Sequence, residues 1–242
     1  MVKIAVSEKR NPIVQRVDYD ENISIATWGA IKVNKSHFFP SSFQIRNEEI
    51  ILYIDPVVVE GSEKADYILI THSHPDHFSI KDIQKLLKPE TVVICSKGVS
   101  KKLSHLNVPV KTVKPGDTLQ MDKLKVEATH AYNTRSVFLW IKAHPKSSEN
   151  VGFIVSLDAN IRIYHAGDTD YVSELKNLED IDIAMVPVGG DNLTMNMEEA
   201  ALVVNFISPK LAIPMHYEIE KKLELTQFKD LIRAPTTVKV FD

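Results

Sequence analysis

Three histidines and an aspartate lie within six residues of the chain: His72, His74, Asp76 and His77. An apolar run, Tyr67–Ile70, precedes them and predicts a strand. Residues two apart on an extended chain point to the same side, so the first two histidines can bind one ion together. The aspartate and the last histidine follow where the chain turns toward a predicted helix, and they point elsewhere. Ligands in two directions suit a pair of metal ions, and imidazole with carboxylate favours zinc, with iron or manganese also possible.

The pattern His72-x-His74-x-Asp76-His77 resembles the signature of the metallo-β-lactamase superfamily. Further motifs of that family are matched in the same order along the chain: a strand-end aspartate in Ile54-Asp55-Pro56, a Gly-Asp-Thr motif in His165–Thr169, and a final metal-histidine strand in Ile213–Tyr217. The resemblance extends over roughly residues 20 to 220. It is strongest to the branch of small metal-dependent hydrolases that includes lactonase-like and phosphodiesterase-like members.

The resemblance implies a centre of two metal ions with a defined ligand set. The first ion takes two signature histidines and a third ligand from the middle of the chain. The second ion takes the signature aspartate and its neighbouring histidine together with the last histidine of the motif series, and one carboxylate bridges both ions. The residues that match these positions are His72, His74, Asp76, His77, Asp168 and His216.

The third ligand of the first ion is the point at which this chain departs from the family pattern. Many relatives have a histidine after an alanine and an aromatic residue, and here that position is Asn133. An amide carbonyl is a poor neutral ligand for zinc beside imidazole. We therefore predict His144 in this role, with His130 as the second candidate and an incomplete ligand set as the third possibility.

Other polar residues are expected to support the ligands. Asp55 is predicted to accept a hydrogen bond from a ligand histidine, since such carboxylates fix the ring tautomer; a turn aspartate is the alternative. His165 is predicted to orient Asp168, unless it is an ordinary strand histidine. His37 is expected to line the pocket.

Composition limits the classes of protein to which this chain can belong. It has 242 residues, 44% hydrophobic content and a net charge of −3, without a basic block of the kind that follows nucleic acid. The single cysteine, Cys95, lies in an apolar run and is predicted to be a buried core residue. No signal-peptide pattern or membrane-spanning run is visible. We therefore expect a cytoplasmic protein with a small-molecule substrate, no membrane association and no nucleic-acid partner; its oligomeric state stays open.

Strand and helix patterns occur in two batches along the chain, which predicts a mixed α and β protein. The family resemblance implies an α+β fold, a four-layer αββα sandwich, as one domain over residues 1–242. The predicted helices are 79–88, 99–106, 171–178 and 197–207, and the predicted strands include 43–54 as a hairpin, 92–96, 119–130 as a pair, 151–157, 161–165, 181–188 and 210–215.

These features together predict a metal-dependent hydrolase in which a metal-bound hydroxide attacks a small ester, lactone or phosphodiester. Asp76 would orient the nucleophile and Asp168 would hold the ion pair, so both are candidate catalytic residues. A nuclease or RNA-processing enzyme of the same superfamily and a non-catalytic metal-binding scaffold are the alternatives. The motif leaves the substrate open, because pocket loops decide it.

Overall fold

The computed structural model describes residues 6–9, 14–33, 36–61, 63–157 and 161–241 of the chain. Its backbone divides into two compact units. The first unit includes residues 1–113, 218–220 and 241–242, and the second includes 114–217 and 221–240. The assignment of residues 1–242 to one domain stays a prediction. Over the described ranges, no helix combines the length and the apolar character that crossing a bilayer requires.

Strands and two short helices make up the first unit. The strands are β1 (Val6–Lys9), β2 (Gln15–Asp18), β3 (Ser24–Thr27), β4 (Ile31–Val33), β5 (Ser36–Phe39), β6 (Phe43–Arg46), β7 (Ile51–Ile54), β8 (Tyr67–Ile70), β9 (Val92–Ser96) and β10 (Val110–Val113). The helices are α1 (Ile80–Leu86) and α2 (Lys97–Ser100). A seven-stranded sheet has the order β10-β9-β8-β7-β6-β3-β2, and a smaller sheet contains β1, β4 and β5.

The order of the parallel strands places two chemically important segments at one sheet edge. Strands β7, β8 and β9 run parallel to one another. Parallel strands end at the same edge, so Asp55, directly after β7, lies beside the segment Thr71–His77 that follows β8. The backbone N–H of Asp55 donates to the carbonyl of Leu69 at 2.9 Å, which fixes this register.

An apolar core holds this edge in place. Trp28 stacks on Tyr53 with ring centroids 5.7 Å apart, and Ile68 and Ile70 of β8 are fully buried in the same cluster. Complete burial of one such side chain contributes about 1.5–3 kcal/mol. Helix α1 begins where the Ser79 hydroxyl accepts from the backbone N–H three residues later, as its sequence predicted. Strand β8 therefore anchors the segment 71–77 at its start, and helix α1 anchors it at its end.

The single thiol, Cys95, belongs to this core. Its side chain is fully buried in β9, and burial raises its pKa to about 12. A thiolate is the reactive form, so we expect a thiol-specific disulfide reagent to leave the folded protein unlabelled at pH 8. The same reagent should label one equivalent after denaturation. Rapid labelling of the folded protein with parallel loss of activity would contradict the placement of β9.

The second unit contains another seven-stranded sheet. Its strands are β11 (Thr118–Gln120), β12 (Leu124–His130), β13 (Val151–Leu157), β14 (Ile161–His165), β15 (Ile183–Pro187) and β16 (Leu211–Met215), followed by β17 (Tyr217–Glu218) and β18 (Thr237–Val238). The sheet has the order β11-β12-β13-β14-β15-β16-β18, and β17, whose second residue belongs to the first unit, is a member of the smaller sheet. The α-helices are α3 (Met197–Ile207) and α4 (Leu225–Leu231), and 3-10 turns cover Lys146–Ser148, Ser173–Asn177 and Ile219–Glu224.

Strands β14, β15 and β16 run parallel, so their carboxyl ends also share one edge. The segments that leave this edge carry Asp168, Gly189 and His216. Strands β13 and β14 begin and end at the residues that their apolar runs predicted. The predicted turn between them, residues 158–160, lies outside the described residues.

Two helix predictions need correction. Residues 171–178 form a 3-10 segment, Ser173–Asn177, in which Leu175 donates to the carbonyl three residues earlier. The helix predicted over 99–106 is the single turn α2 followed by turns. There the hydroxyls of Ser100 and Ser104 donate to carbonyls three residues earlier, which competes with helical continuation. The capping box of α3, formed by Asn196 and Glu199, is confirmed.

Candidate metal centre

A fully buried carboxylate, Asp55, organises the ligand segment of the first unit. Its Oδ1 accepts from the Thr71 backbone N–H at 2.8 Å, and its Oδ2 accepts from the Thr71 hydroxyl at 2.7 Å. The same Oδ2 lies 2.7 Å from Nδ1 of His77. A carboxylate oxygen only accepts, so Nδ1 of His77 carries the proton and Nε2 keeps the lone pair that a metal needs. The predicted hydrogen bond to Asp55 from a candidate ligand histidine is therefore present, and the role of His77 as a ligand stays a prediction.

The same network sets the tautomer of His72. The Thr71 hydroxyl gives its one proton to Asp55, so it accepts from Nδ1 of His72, which lies 3.0 Å away. Nε2 of His72 is therefore the nitrogen with a lone pair. Asp55 thus controls two candidate ligands, one directly and one through a hydroxyl.

The candidate ligand atoms of this segment converge. Nε2 of His72 lies 3.1 Å from Nδ1 of His74. Two nitrogens each about 2.05 Å from a tetrahedral ion are separated by about 3.3 Å, so this spacing fits a shared ion. Nε2 of His77 lies 3.6 Å from Oδ2 of Asp76. The predicted pairing of the first two histidines, and of the aspartate with the last histidine, agrees with these distances.

The second unit brings together the remaining candidate ligands. Oδ2 of Asp168 lies 3.1 Å from Nε2 of His216 and 3.4 Å from Nε2 of His144. All three side chains are at least nine-tenths buried. His216 adopts φ 57°, a left-handed conformation that non-glycine residues rarely take, and that sets its direction directly after β16. One carboxylate oxygen therefore lies between two imidazole nitrogens, and the bridging role of Asp168 stays a prediction.

The geometry favours His144 over His130 as the third ligand of the first ion. His130 lies at the end of β12, half-buried, with its ring 6.1 Å from that of Tyr132. His144 is buried beside Asp168, and its Nδ1 is 2.8 Å from Oδ1 of Asn133. Asn133 therefore contacts a candidate ligand through its side-chain oxygen. The assignment of His144 as ligand stays a prediction with this support.

Sequence reasoning missed Asp170, which accepts hydrogen bonds from Asn133, Thr134 and Arg135. Burial raises the pKa of the Asp170 carboxyl, but the hydrogen bonds from Arg135 and Thr134 outweigh this effect and leave the pKa below its usual value. The feature of the sequence that could have indicated Asp170 is its position two residues after Asp168, the aspartate of the Gly-Asp-Thr motif.

His37 and His165, the two other histidines with predicted supporting roles, each make a polar contact. Nδ1 of His37 lies 3.0 Å from a carboxylate oxygen of Glu220. His165 is fully buried, and its Nδ1 accepts from the backbone N–H of Gly167 at 3.3 Å. Its predicted role in orienting Asp168 stays a prediction, as does a role for His37 in lining the pocket.

Gly189 lets the chain pass close to His216. A Cβ atom at this position would overlap the carbonyl oxygen of His216 and press on its Nδ1. We therefore expect Gly189→Ala to displace His216 and to lower the affinity of the protein for one metal ion by at least about tenfold, as expected for a disturbed ligand environment. Equilibrium titration against a chromophoric chelator measures this.

Gly98→Ala is the matched control for this substitution. No atom lies within 4 Å of a Cβ built at Gly98, which is in helix α2. Alanine there should leave metal affinity unchanged and the fold intact. Equal metal affinities for the two alanine variants would show that the close approach at Gly189 does not position His216.

Comparison with known proteins defines the class. A family model described as a beta-lactamase superfamily domain matches residues 37–216. A UPF0173 metal-dependent hydrolase of Methanoculleus marisnigri is 32% identical over 201 residues, which cover 78% of this chain and 84% of that protein. A solved structure of a proposed metal-dependent hydrolase from Parabacteroides distasonis is 29% identical with a TM-score of 0.74, covering 94% of this chain and 97% of that chain. The metallo-β-lactamase fold protein YhfI of Bacillus subtilis is 12% identical with a TM-score of 0.63, covering 83% and 88%.

These similarities, together with two seven-stranded sheets and clustered histidines and aspartates, define a metal-dependent hydrolase. The chain belongs to the metallo-β-lactamase superfamily. The predicted fold class, α+β and metallo-β-lactamase-like, is confirmed.

Proposed function

We propose that the protein holds two metal ions and uses them to hydrolyse a small ester, lactone or phosphodiester. The ligands fall into two sets that could each hold one ion, and Asp168 belongs to both sets. The sets are His72, His74, His144 and Asp168 for the first ion, and Asp76, His77, Asp168 and His216 for the second. Two ions so bound would lower the pKa of water and polarise the oxygen of a carbonyl or phosphoryl group.

The observation that carries the proposal is the agreement between tautomers and ligand positions. Nδ1 of His77 donates to Asp55 and Nδ1 of His72 donates to the Thr71 hydroxyl, so both rings carry their proton on Nδ1. Both rings therefore present Nε2, and Nε2 is also the atom of His144 and His216 that faces Asp168. Histidines that serve only as packing residues have no reason to share this arrangement. A metal ligand needs an unprotonated ring nitrogen that faces the ion, and a hydrogen bond at the other nitrogen provides it.

The chain's own residues have separable roles. Asp168 would hold both ions, and Asp76 would act as a ligand and orient the attacking water. Asp55 keeps two imidazoles in the correct tautomer from outside the ligand set. These roles need no serine or cysteine nucleophile, in agreement with the fully buried thiol of Cys95.

Zinc is the proposed metal, since imidazole and carboxylate ligands with no thiolate suit it; manganese and iron accept the same ligands. A cytoplasmic location remains part of the proposal. The net charge of −3 supports a small-molecule substrate over nucleic acid. A nucleic-acid substrate would call for a basic surface and a steep salt dependence.

The test is a substrate panel with protein purified without chelator. The panel contains nitrophenyl esters, lactones, bis-nitrophenyl phosphate and a short RNA, each assayed with zinc-loaded and manganese-loaded protein. Turnover of any one of the small compounds supports the proposal. Cleavage of RNA alone, falling steeply between 50 and 200 mM salt as expected of many phosphate contacts, would replace it with the nuclease alternative. Tight metal binding without turnover of any compound would replace it with the scaffold alternative.

A further inference from the structure

We infer that Asn133 and Asp170 are positioning residues that fix His144 as a metal ligand; this inference rests on the proposed metal centre. The Asp170 side chain is 1% exposed and accepts several hydrogen bonds from one short segment. These come from Asn133 Nδ2 at 3.0 Å, the Thr134 backbone N–H at 2.7 Å and the Thr134 hydroxyl at 2.9 Å. The backbone N–H and Nη2 of Arg135 add two more at 3.0 Å.

Asp170 decides which way the Asn133 amide faces. The Nδ2 group of Asn133 donates to Oδ1 of Asp170 at 3.0 Å and to the carbonyl of Leu193 at 2.8 Å. Both partners are acceptors only, so they require the NH2 group on this side. A flipped amide would set its oxygen against two other oxygens. The Asn133 oxygen must therefore face His144.

That oxygen in turn decides the tautomer of His144. Oδ1 of Asn133 accepts from the His144 backbone N–H at 2.9 Å and lies 2.8 Å from Nδ1 of the ring. An amide oxygen cannot donate, so Nδ1 of His144 carries the proton. Nε2, which lies 3.4 Å from Oδ2 of Asp168, then keeps its lone pair. The hydrogen bonds from Asn133 to Asp170 and from His144 to Asn133 therefore fix the tautomer of His144, as Asp55 fixes the tautomer of His77.

Additional contacts hold the segment rigidly. The backbone N–H of Asn133 donates to the carbonyl of His144 at 2.8 Å, which closes the loop between them. Nη2 of Arg135 also reaches Oε2 of Glu199 at 2.8 Å, in the capping box of α3. This arrangement explains why asparagine stands at the position where many relatives have a ligand histidine. The amide orients a ligand that arrives eleven residues later in the chain.

The first experiment needs no substitution. Nitrogen-15 NMR of histidine rings in the metal-free protein at pH 8.5 distinguishes the two neutral tautomers. We expect His144 with its proton on Nδ1, assigned by the disappearance of its signals in His144→Gln. A His144 ring with its proton on Nε2 would overturn the inference, even in a protein that binds two ions.

The second experiment compares Asn133→Ala with Asn205→Ala. Asn205 is the matched control, because its amide also makes two hydrogen bonds, to Leu231 and Arg233, and neither partner is a candidate ligand. Asn133→Ala should lower the affinity for one of the two metal ions by about 10–100-fold and change the affinity for the other by less than about twofold. It should also populate both tautomers of His144. Asn205→Ala should change neither property.

Two outcomes separate this inference from the proposed function. Two bound ions with unchanged affinities in Asn133→Ala overturn the inference alone. No metal bound to the unsubstituted protein overturns the proposed function, while the tautomer of His144 still tests the hydrogen-bond chain. Where Asn133→Ala does not fold, Asn133→Ser removes the same acceptor geometry with less loss of polarity, and the same affinities are expected.

The loop that runs from Asn133 to His144 has an apolar tip. Five consecutive large apolar residues are exposed there, from 41% for Val137 to 81% for Trp140. The tip is an ordered turn, because the Val137 N–H donates to the Ile141 carbonyl and the Ile141 N–H donates to the Phe138 carbonyl, both at 2.8 Å. Scattered exposed apolar residues are normal, but a contiguous run marks a surface that meets another apolar group.

We propose that this tip, residues 137–141, contacts an apolar part of the substrate, a step that also rests on the proposed function. Trp140 is four residues from His144, and the hydrogen bonds of Asn133 hold both ends of the loop. The tip is therefore tied to a candidate ligand. Of the three cations in residues 133–146, Arg135 pairs with Asp170 and Lys146 pairs with Glu174, and Lys142 is exposed beside the tip. One exposed cation falls short of the cluster of about four to eight that recognises an anionic membrane. An alkyl or aryl chain on the substrate is the occupant that these features favour.

A direct binding experiment tests this proposal without turnover. The chain has two tryptophans, and Trp28 is buried, so added ligands that meet the tip change the emission of Trp140. Octylphosphonate should shift the emission to shorter wavelength, whereas methylphosphonate should not. Absence of a shift with octylphosphonate would overturn the proposal.

Kinetics provide the second test. For the substrate class that the protein turns over, kcat/KM should rise at least about tenfold as an alkyl chain lengthens from two to eight carbons, the effect of burying roughly two methylene groups. The double variant Phe138→Ser with Trp140→Ser should flatten this series. The matched control is Leu202→Ser with Phe206→Ser, at two exposed apolar positions of α3. An unchanged series in the tip variant, or a change of its oligomeric state or vesicle binding, would overturn the proposal.

Discussion

Replacing Asp168 by alanine is expected to abolish measurable turnover and to lower the metal content of the protein. Its Oδ2 lies 3.1 Å from Nε2 of His216 and 3.4 Å from Nε2 of His144, and its carboxylate belongs to both ligand sets. Loss of an outer hydrogen-bond partner of a metal ligand costs about 10–100-fold in metal affinity or activity. If Asp168 is shared by two ions as proposed, its loss should exceed that range, because charge would be removed from both ions at once.

The comparison with His144→Ala makes the expectation specific. His144 belongs to one set only, so its loss should weaken one ion and leave partial activity at high metal concentration. His105→Ala is the control, since this residue is exposed. Elemental analysis and kcat should be measured for all three variants under saturating zinc. Equal losses of metal and of kcat in Asp168→Ala and His144→Ala would contradict the larger role proposed for Asp168. Full activity of Asp168→Ala would contradict the proposed mechanism.

Much of the candidate site was predictable because it is local. His72, His74, Asp76 and His77 fall within one short segment after a buried strand, and strand geometry alone relates the first pair. The sequence predicted that Asp55 accepts a hydrogen bond from a ligand histidine, but it did not identify which one. The contact with His77 spans 22 residues and depends on the parallel pairing of β7 with β8.

The role of Asn133 could not be predicted from sequence. Its amide is oriented by Asp170 and Leu193, which are 37 and 60 residues away. The sequence showed only that an amide is a poor metal ligand. Whether it would be a bystander or would orient His144 depends on which acceptors the fold brings to its NH2 group, and no local pattern contains that information.

The fold shows the same division between strong and weak local signals. Strands β9, β13 and β14 were predicted with correct bounds because continuous apolar, β-branched runs define them. Strands β2 and β10 were missed, since they are four residues long and largely exposed or half-buried. Edge strands of this kind are held by the neighbouring strand, so their own side chains carry little hydrophobic pattern.

Removal of metal is expected to abolish activity and to destabilise the protein substantially. A ligand present at 100 times its dissociation constant stabilises the native state by about 2.7 kcal/mol, provided that the unfolded chain does not bind it. For a chain of this length, 1 kcal/mol corresponds to about 2–4 °C in Tm, so each ion should raise Tm by roughly 5–11 °C. The buried histidines and aspartates of the two ligand sets give a further reason, since metal neutralises carboxylates that burial otherwise disfavours.

The measurement combines stoichiometry with recovery. Protein treated with chelator and then dialysed should lose turnover and unfold at lower temperature, and added zinc or manganese should restore both. Elemental analysis after loading should approach two equivalents for the unsubstituted protein and should fall for Asp168→Ala. A firm plateau at one equivalent would contradict the two-ion centre, because one of the two sets would then lack an ion. Full activity of the chelated, metal-free protein would contradict a metal-dependent mechanism altogether, since no other group among the candidate ligands is proposed to activate water.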